Sequence, residues 1–200
     1  YYWFYKGVVH YFSTEFSDAC DCFEKANKFI GVIPGHIYLF ELEFYYILAL
    51  SACHPSIPSA NAIKPSLLNH VKKIEKLATF NPENFAIKTL IIKAELKRVE
   101  GDFFAAIELY EQAISANDNG DFLQHKALTH ELAGRLAYDS NQLTSAKAHL
   151  NYALNYYSNW GSNGKVKQLN DDYSTLQLKL SDEPYIQSMM TKESHSIPES

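Results

Sequence analysis

The chain has 200 residues, of which 46% are hydrophobic and 14% aromatic, enough apolar surface for one or two domains or one short solenoid. A net charge of −5 and a pI near 5.9 exclude general affinity for the phosphate backbone of nucleic acids. No apolar run reaches the roughly 18 residues that cross a bilayer; the nearest, residues 37–53, is interrupted by Glu41 and Glu43, so no membrane insertion is expected.

The chain opens on Tyr1-Tyr2-Trp3, already within a helical pattern and without an initiator Met, basic region or cleavage site, and it reads as an excerpt from a longer polypeptide. Residues 2–11 and 15–30 form a first hairpin, with Ser13 or Thr14 as the cap of its second helix. Gly31, Pro34 and Gly35 break the pattern. The next helix, 36–52, is apolar almost all round and is expected to be buried on most sides. Its partner spans 65–79, with Leu68, Val71, Ile74 and Leu77 on one stripe, and HPSIPSANAIKP between the two reads as an inserted loop. Asn81-Pro82 leads to a helix over 85–100. Gly101 closes it and Asp102 is a candidate cap for the next, which runs to 116. After the turn Asp118-Asn119-Gly120, residues 122–138 and 143–160 form a fourth hairpin, stopped by Gly161 in a C-cap role. Val166, Leu169, Tyr173 and Leu176 mark an end helix that caps the stack. The hairpins are thus 1–31, 36–80, 83–116 and 121–160, the end helix 163–178, and residues 179–200 a polar linker.

One spacing recurs through this order. Ala19, Phe23 and Ala26 repeat as Ala106, Tyr110 and Ala113, and again as Ala146, Leu150 and Ala153. Twelve residues before each first alanine stand Gly7, Ala94 and Gly134, all small; sixteen before stand Trp3, Leu90 and His130. Small residues at matched points let two helix backbones approach closely. The pattern resembles the tetratricopeptide (TPR) repeat, although the last two sets lie 40 residues apart, longer than the usual period of about 34. The resemblance implies an all-α, TPR-like right-handed superhelix of about four hairpins with a C-terminal capping helix.

A narrower resemblance rests on KAELKRVEGDFFAAIELYEQAI, FLQHKALTHELAGRLAY and AHLNYALNYYSNWGSNGKVKQL. Its most specific part is Tyr157, Trp160 and Gly161 followed by Lys165, Val166 and Leu169. Over roughly residues 1–178 the chain resembles the helical region of very large signalling proteins of bacteria and fungi. These join a serine/threonine kinase-like domain, an AAA-type ATPase, this region, a GAF domain and a sensor histidine kinase. The resemblance implies a cytoplasmic, two-component phosphorelay setting and an ATP-binding parent; it carries no catalytic motif.

The residues themselves point away from chemistry. His130-Glu131-Leu132 is no zinc-protease start, because Gly134 stands where the second histidine belongs. As a phosphate-accepting histidine, His130 lacks the basic residue, Thr and Pro that follow such a site, and it occupies the repeat's packing position. His125, His130 and Glu131 share a face without a third suitable donor one turn on. Cys20 and Cys22 point about 200° apart on one helix and cannot chelate one metal; with Cys53 they suit a reducing, intracellular setting. Lys88, Lys93, Lys97 and Arg98 make a basic side that Glu95 and Glu100 interrupt, which reads as a solvated face. There is no phosphate loop, nucleophile elbow or kinase signature, so no enzyme activity, metal or cofactor is expected in this segment.

What the register leaves is a concave side. It is expected to carry Tyr1, Phe4, Val8, Tyr11 and Phe12, then Lys88, Ile91, Glu95 and Arg98, then Glu131, Arg135 and Tyr138. The candidate partner-binding groove is Phe4, Tyr11, Phe12, Glu95, Arg98, Glu131, Arg135 and Tyr138, for a peptide, a helix or the parent's own domains. The expected function is protein interaction and domain coupling within a large signalling kinase; a free-standing TPR adaptor acting in trans is the alternative.

Overall fold

Helices account for the regular structure, with no strand among the described residues, so the chain is all-α. The computed structural model describes residues 1–30, 37–53, 60–79, 82–116 and 122–174. They fall into two units, residues 1–116 and 117–200.

The first unit holds α1 (Tyr2–Phe12), α2 (Phe16–Ile30), α3 (Ile37–Cys53), α4 (Ala60–Ala78), α5 (Pro82–Glu100) and α6 (Phe103–Ala116). Each packs on the next, forming the three expected hairpins, and α3 also packs on both α1 and α5. None of the described side chains of α3, residues 38–53, is exposed, as its apolar circumference requires. The second unit holds α7 (Leu123–Asp139), α8 (Leu143–Asn159) and α9 (Asn163–Ser174), with α8 packed on both α7 and α9.

Four of the inter-helix turns share one geometry. After α1, α5, α7 and α8 a single residue enters the left-handed region: Thr14 (φ 62°), Gly101 (φ 82°), Asn141 (φ 59°) and Gly161 (φ 84°). Its N–H bonds three residues back, and the next N–H bonds five back, as in Asp102 to the Lys97 carbonyl at 2.9 Å and Gln142 to the Ala137 carbonyl at 2.8 Å. These are Schellman turns, which satisfy the last carbonyls of each helix. The residue after the left-handed one opens the next helix, and Asp102 does so with its side chain, accepting from the Ala105 N–H at 3.2 Å. Thr14 is therefore the left-handed closing residue of α1 and not a cap for α2.

The repeated small residues lie where the helices cross. A Cβ on Gly7 would stand 2.6 Å from the Phe23 ring, and one on Gly134 would stand 2.8 Å from Leu150 Cγ. Ala19, Ala94, Ala106, Ala113, Ala146 and Ala153 are fully buried, and Ala26 is half-buried.

Two helix starts differ from expectation. Helix α4 begins at Ala60, so the end of the expected insertion is helical and Pro65 lies inside the helix. Pro65 forfeits one i→i−4 bond to the Asn61 carbonyl, and the helix continues through that defect. Helix α5 begins at Pro82, because a proline at the first helical position has no N–H to leave unpaired. The expected breaks at Gly31, Pro34, Gly35 and 118–120, most of the insertion, Leu176 and the 179–200 linker lie outside the described residues.

Candidate functional site

Three hairpins each bury one glutamate on the first helix and bond it to the second. In α3 the Glu43 carboxylate meets His70 of α4, and Lys73 Nζ donates to it at 3.1 Å. In α5 Glu95 accepts from the Tyr110 hydroxyl of α6 and from Arg98 Nη2 at 2.7 Å. Arg98 also donates to the Ser51 carbonyl of α3 at 2.7 Å, so one guanidinium ties two hairpins together. In α7 Glu131 accepts from Arg135, from the Tyr157 hydroxyl of α8 at 2.6 Å and from Lys165 Nζ of α9 at 2.9 Å.

The electrostatics follow from this geometry. Burial works against the Glu131 carboxylate, but the charges of Arg135 and Lys165 and the Tyr157 hydrogen bond hold its pKa below the ordinary value. Burial likewise opposes Glu43, and His70 and Lys73 outweigh it. The Glu95 charge beside Arg98 pushes that guanidinium's pKa up, and burial with Glu95 raises the Tyr110 phenol. Each of these carboxylates has its donors supplied within the fold.

His130 is a packing residue. It is buried on α7, with its Nδ1 3.1 Å from Nδ1 of His149, and its ring stacks on Tyr152 and Tyr156 of α8 at 5.0 and 5.6 Å. Burial, with His149 and Lys126 beside it, lowers its pKa to about 3.

The expected groove is corrected by these placements. Phe4, Tyr11, Glu95 and Glu131 are buried, and Lys88 and Ile91 of the wider set with them. Phe4, Tyr11 and Phe12 surround Tyr45 of α3 at ring distances of 6.4, 6.0 and 6.0 Å. Arg98 and Arg135 are half-buried and paired to Glu95 and Glu131, while half-buried Tyr138 packs edge-on against Tyr173 of α9 at 5.8 Å. Lys88 pairs with Glu41 over the rings of Phe40 and Phe44. The face read as a groove is where neighbouring helices meet, so substitutions there act on folding first.

Helix α1 also leaves a set of large side chains exposed, of which Tyr1 belongs to the expected concave side and Tyr2, Tyr5 and Val9 do not. Tyr1 is 65% exposed, Tyr2 67%, Tyr5 53% and Val9 64%. At 100° per residue these four span about a quarter of the helix circumference, one continuous apolar strip. Gly7 faces α2, and Phe4 and Tyr11 face α3; at the edge of the arc Tyr1 also meets Tyr38 of α3 at a ring distance of 4.9 Å, and Tyr5 shares a hydrogen bond with Tyr38. A helical wheel anchored on Gly7 places the arc away from α2, and only the contact with α3 shows how much of it stays open.

On the basic side of α5 each of the four cations has an acidic partner. Lys88 is paired with Glu41, Lys93 with Glu75 at 3.5 Å, Lys97 with Glu100 at 2.9 Å and Arg98 with Glu95. For a metal ion, His10, Glu15 and Asp18 bring donor atoms within 4.8 Å of one another at the α1–α2 turn. His10 is bonded to Glu15, and both acids sit at the start of α2 where the helix dipole favours negative charge, which accounts for the cluster. No helix among the described residues is long and apolar enough to cross a membrane. No protein family, curated protein or solved structure matches the chain.

Proposed function

We propose that this chain is a non-catalytic helical-repeat segment that couples domains within a large cytoplasmic signalling kinase, with the hairpins wound as a TPR-like right-handed superhelix. The observation that carries the reading is the apolar strip Tyr1, Tyr2, Tyr5 and Val9 on α1. Exposed aromatic residues along one helix mark a face for another protein element, and the buried glutamates Glu43, Glu95 and Glu131 are satisfied by donors inside the fold. The kinase setting rests on the sequence resemblance, above all on the Tyr157–Leu169 closing element. In the structure that element joins α8 to α9: Gly161 turns the chain and Lys165 reaches back to Glu131. Its residues thus have a structural role that accounts for their occurrence together.

The test is Tyr5→Glu with Val9→Glu, in the chain and in the polypeptide that contains it. The reading expects unchanged helicity and melting temperature, altered regulation of the parent's phosphotransfer, and no ATP hydrolysis by the segment alone. Unaltered regulation counts against coupling through α1. Acid-labile label from ATP on His130, lost in His130→Gln, makes the segment a phosphorelay element instead.

A further inference from the structure

The thiols of Cys20 on α2 and Cys53 at the end of α3 face each other with their sulfurs 3.9 Å apart. We propose that Cys20 and Cys53 are a redox pair that closes to a disulfide across the α2–α3 packing when a small-molecule disulfide of the glutathione type is in excess. A disulfide needs sulfurs about 2 Å apart, so each has to move by about 1 Å. Both cysteines are free, and they come from helices already packed against each other, so the fold supplies the proximity that an unfolded chain lacks. Cys22, the third thiol, is buried and is not a member of the pair.

Access sets the order of events. Cys20 is partly accessible, whereas Cys53 is buried, so the small disulfide meets Cys20 first. The Cys20 sulfur gives up its proton and attacks one sulfur of the small disulfide, forming a mixed disulfide and releasing one thiol. Cys53, deprotonated in turn, attacks the Cys20 sulfur; the Cys20–Cys53 bond forms and a second thiol leaves. Two electrons pass from the pair to the small disulfide, and the two protons end on the two released thiols. Burial raises the pKa of both cysteine thiols, with Asp21 adding to it, which lowers the thiolate fraction and makes the reaction slow.

The experiment incubates the intact chain with oxidised glutathione at increasing ratios to reduced glutathione, then alkylates free thiols and maps the products by mass spectrometry. The expected product carries one internal Cys20–Cys53 link, one alkylated Cys22 and no retained glutathione, and it melts at least about 5 °C above the reduced form. Cys22→Ser keeps the link; Cys20→Ser and Cys53→Ser abolish it. Far-UV circular dichroism of the oxidised chain confirms that the link forms in the folded state. Stable glutathione adducts on Cys20, a link through Cys22, intermolecular links, or no link at any ratio in the folded chain each overturn the proposal.

Discussion

The Tyr157 hydroxyl on α8 donates to the buried Glu131 carboxylate on α7 at 2.6 Å, and the same carboxylate receives Lys165 from α9. One side chain therefore joins three consecutive helices, and removing either end leaves the rest of the cluster in place without its partner. Tyr157→Phe deletes one hydrogen bond to a charged acceptor and is expected to cost about 1.5–3 kcal/mol. Glu131→Gln leaves Arg135 and buried Lys165 without their counter-charge and is expected to cost more, about 3–5 kcal/mol. Urea denaturation of both variants checks the order; equal midpoints with the unmodified chain contradict it.

Gly134 has no room for a side chain. Its Cβ would meet Leu150 Cγ at 2.8 Å and His149 Cβ at 3.3 Å, so Gly134→Leu is expected to lose about 1–3 kcal/mol or more. Ala106→Leu, at a fully buried position on α6, is expected to behave alike. Exposed Lys147→Ala is expected to change stability by less than about 0.5 kcal/mol. Thermal melts of the three separate them.

Thr14 holds a left-handed conformation that β-branched residues adopt at a cost of about 1–2 kcal/mol. Thr14→Gly relieves it and is expected to raise stability by about 0.5–1.5 kcal/mol, less the bond from Thr14 Oγ1 to the Ser13 carbonyl. Gly101→Thr, at the equivalent turn before α6, is expected to lower stability by a similar amount. Opposite signs for the two substitutions, read from denaturation midpoints, are the outcome to look for.

His130 gives the fold an acid sensitivity with a definite sign. Its folded pKa, about 3, lies below its ordinary 6.5, so the unfolded chain takes up a proton first as pH falls. Its neutral form stabilises the fold fully above pH 6.5, and that contribution falls by about 1.4 kcal/mol per pH unit below it. Glu43 and Glu131, whose folded pKa values are lowered, add to the loss only below their ordinary 4.5. Stability measured between pH 6.5 and 4.5 should therefore fall less steeply in His130→Phe, which keeps a ring against Tyr152 and Tyr156. Parallel pH profiles contradict this.

Much of the fold was legible in the sequence because small residues announce close crossings. The twelve-residue interval from Gly7 to Ala19, repeated from Ala94 and Gly134, fixes how each hairpin closes, and these residues are buried where the helices meet. The pattern does not fix which face meets the next hairpin. Phe4 and Tyr11 were read as groove residues, yet α3 covers them, and the outward strip at Tyr5 and Val9 follows only once that contact is known. Glu95 and Glu131 were read as surface charges because charged residues rarely leave water. Arg98 and Arg135 are local donors, but Tyr110, Tyr157 and Lys165 lie 15 to 34 residues away on other helices, beyond any local pattern. Thr14 was read as a cap because a hydroxyl before a helix has that role more often than a left-handed one.

The central claim is that the exposed face of α1 works by touching protein. A photo-crosslinking residue placed at Val9 in the containing polypeptide, with a second placed at Lys147 as the control, tests it directly. The account predicts abundant adducts from Val9 to one defined protein segment, suppressed by Tyr5→Glu, and only background from Lys147. Equal background from both positions, with the chain folded, would contradict it.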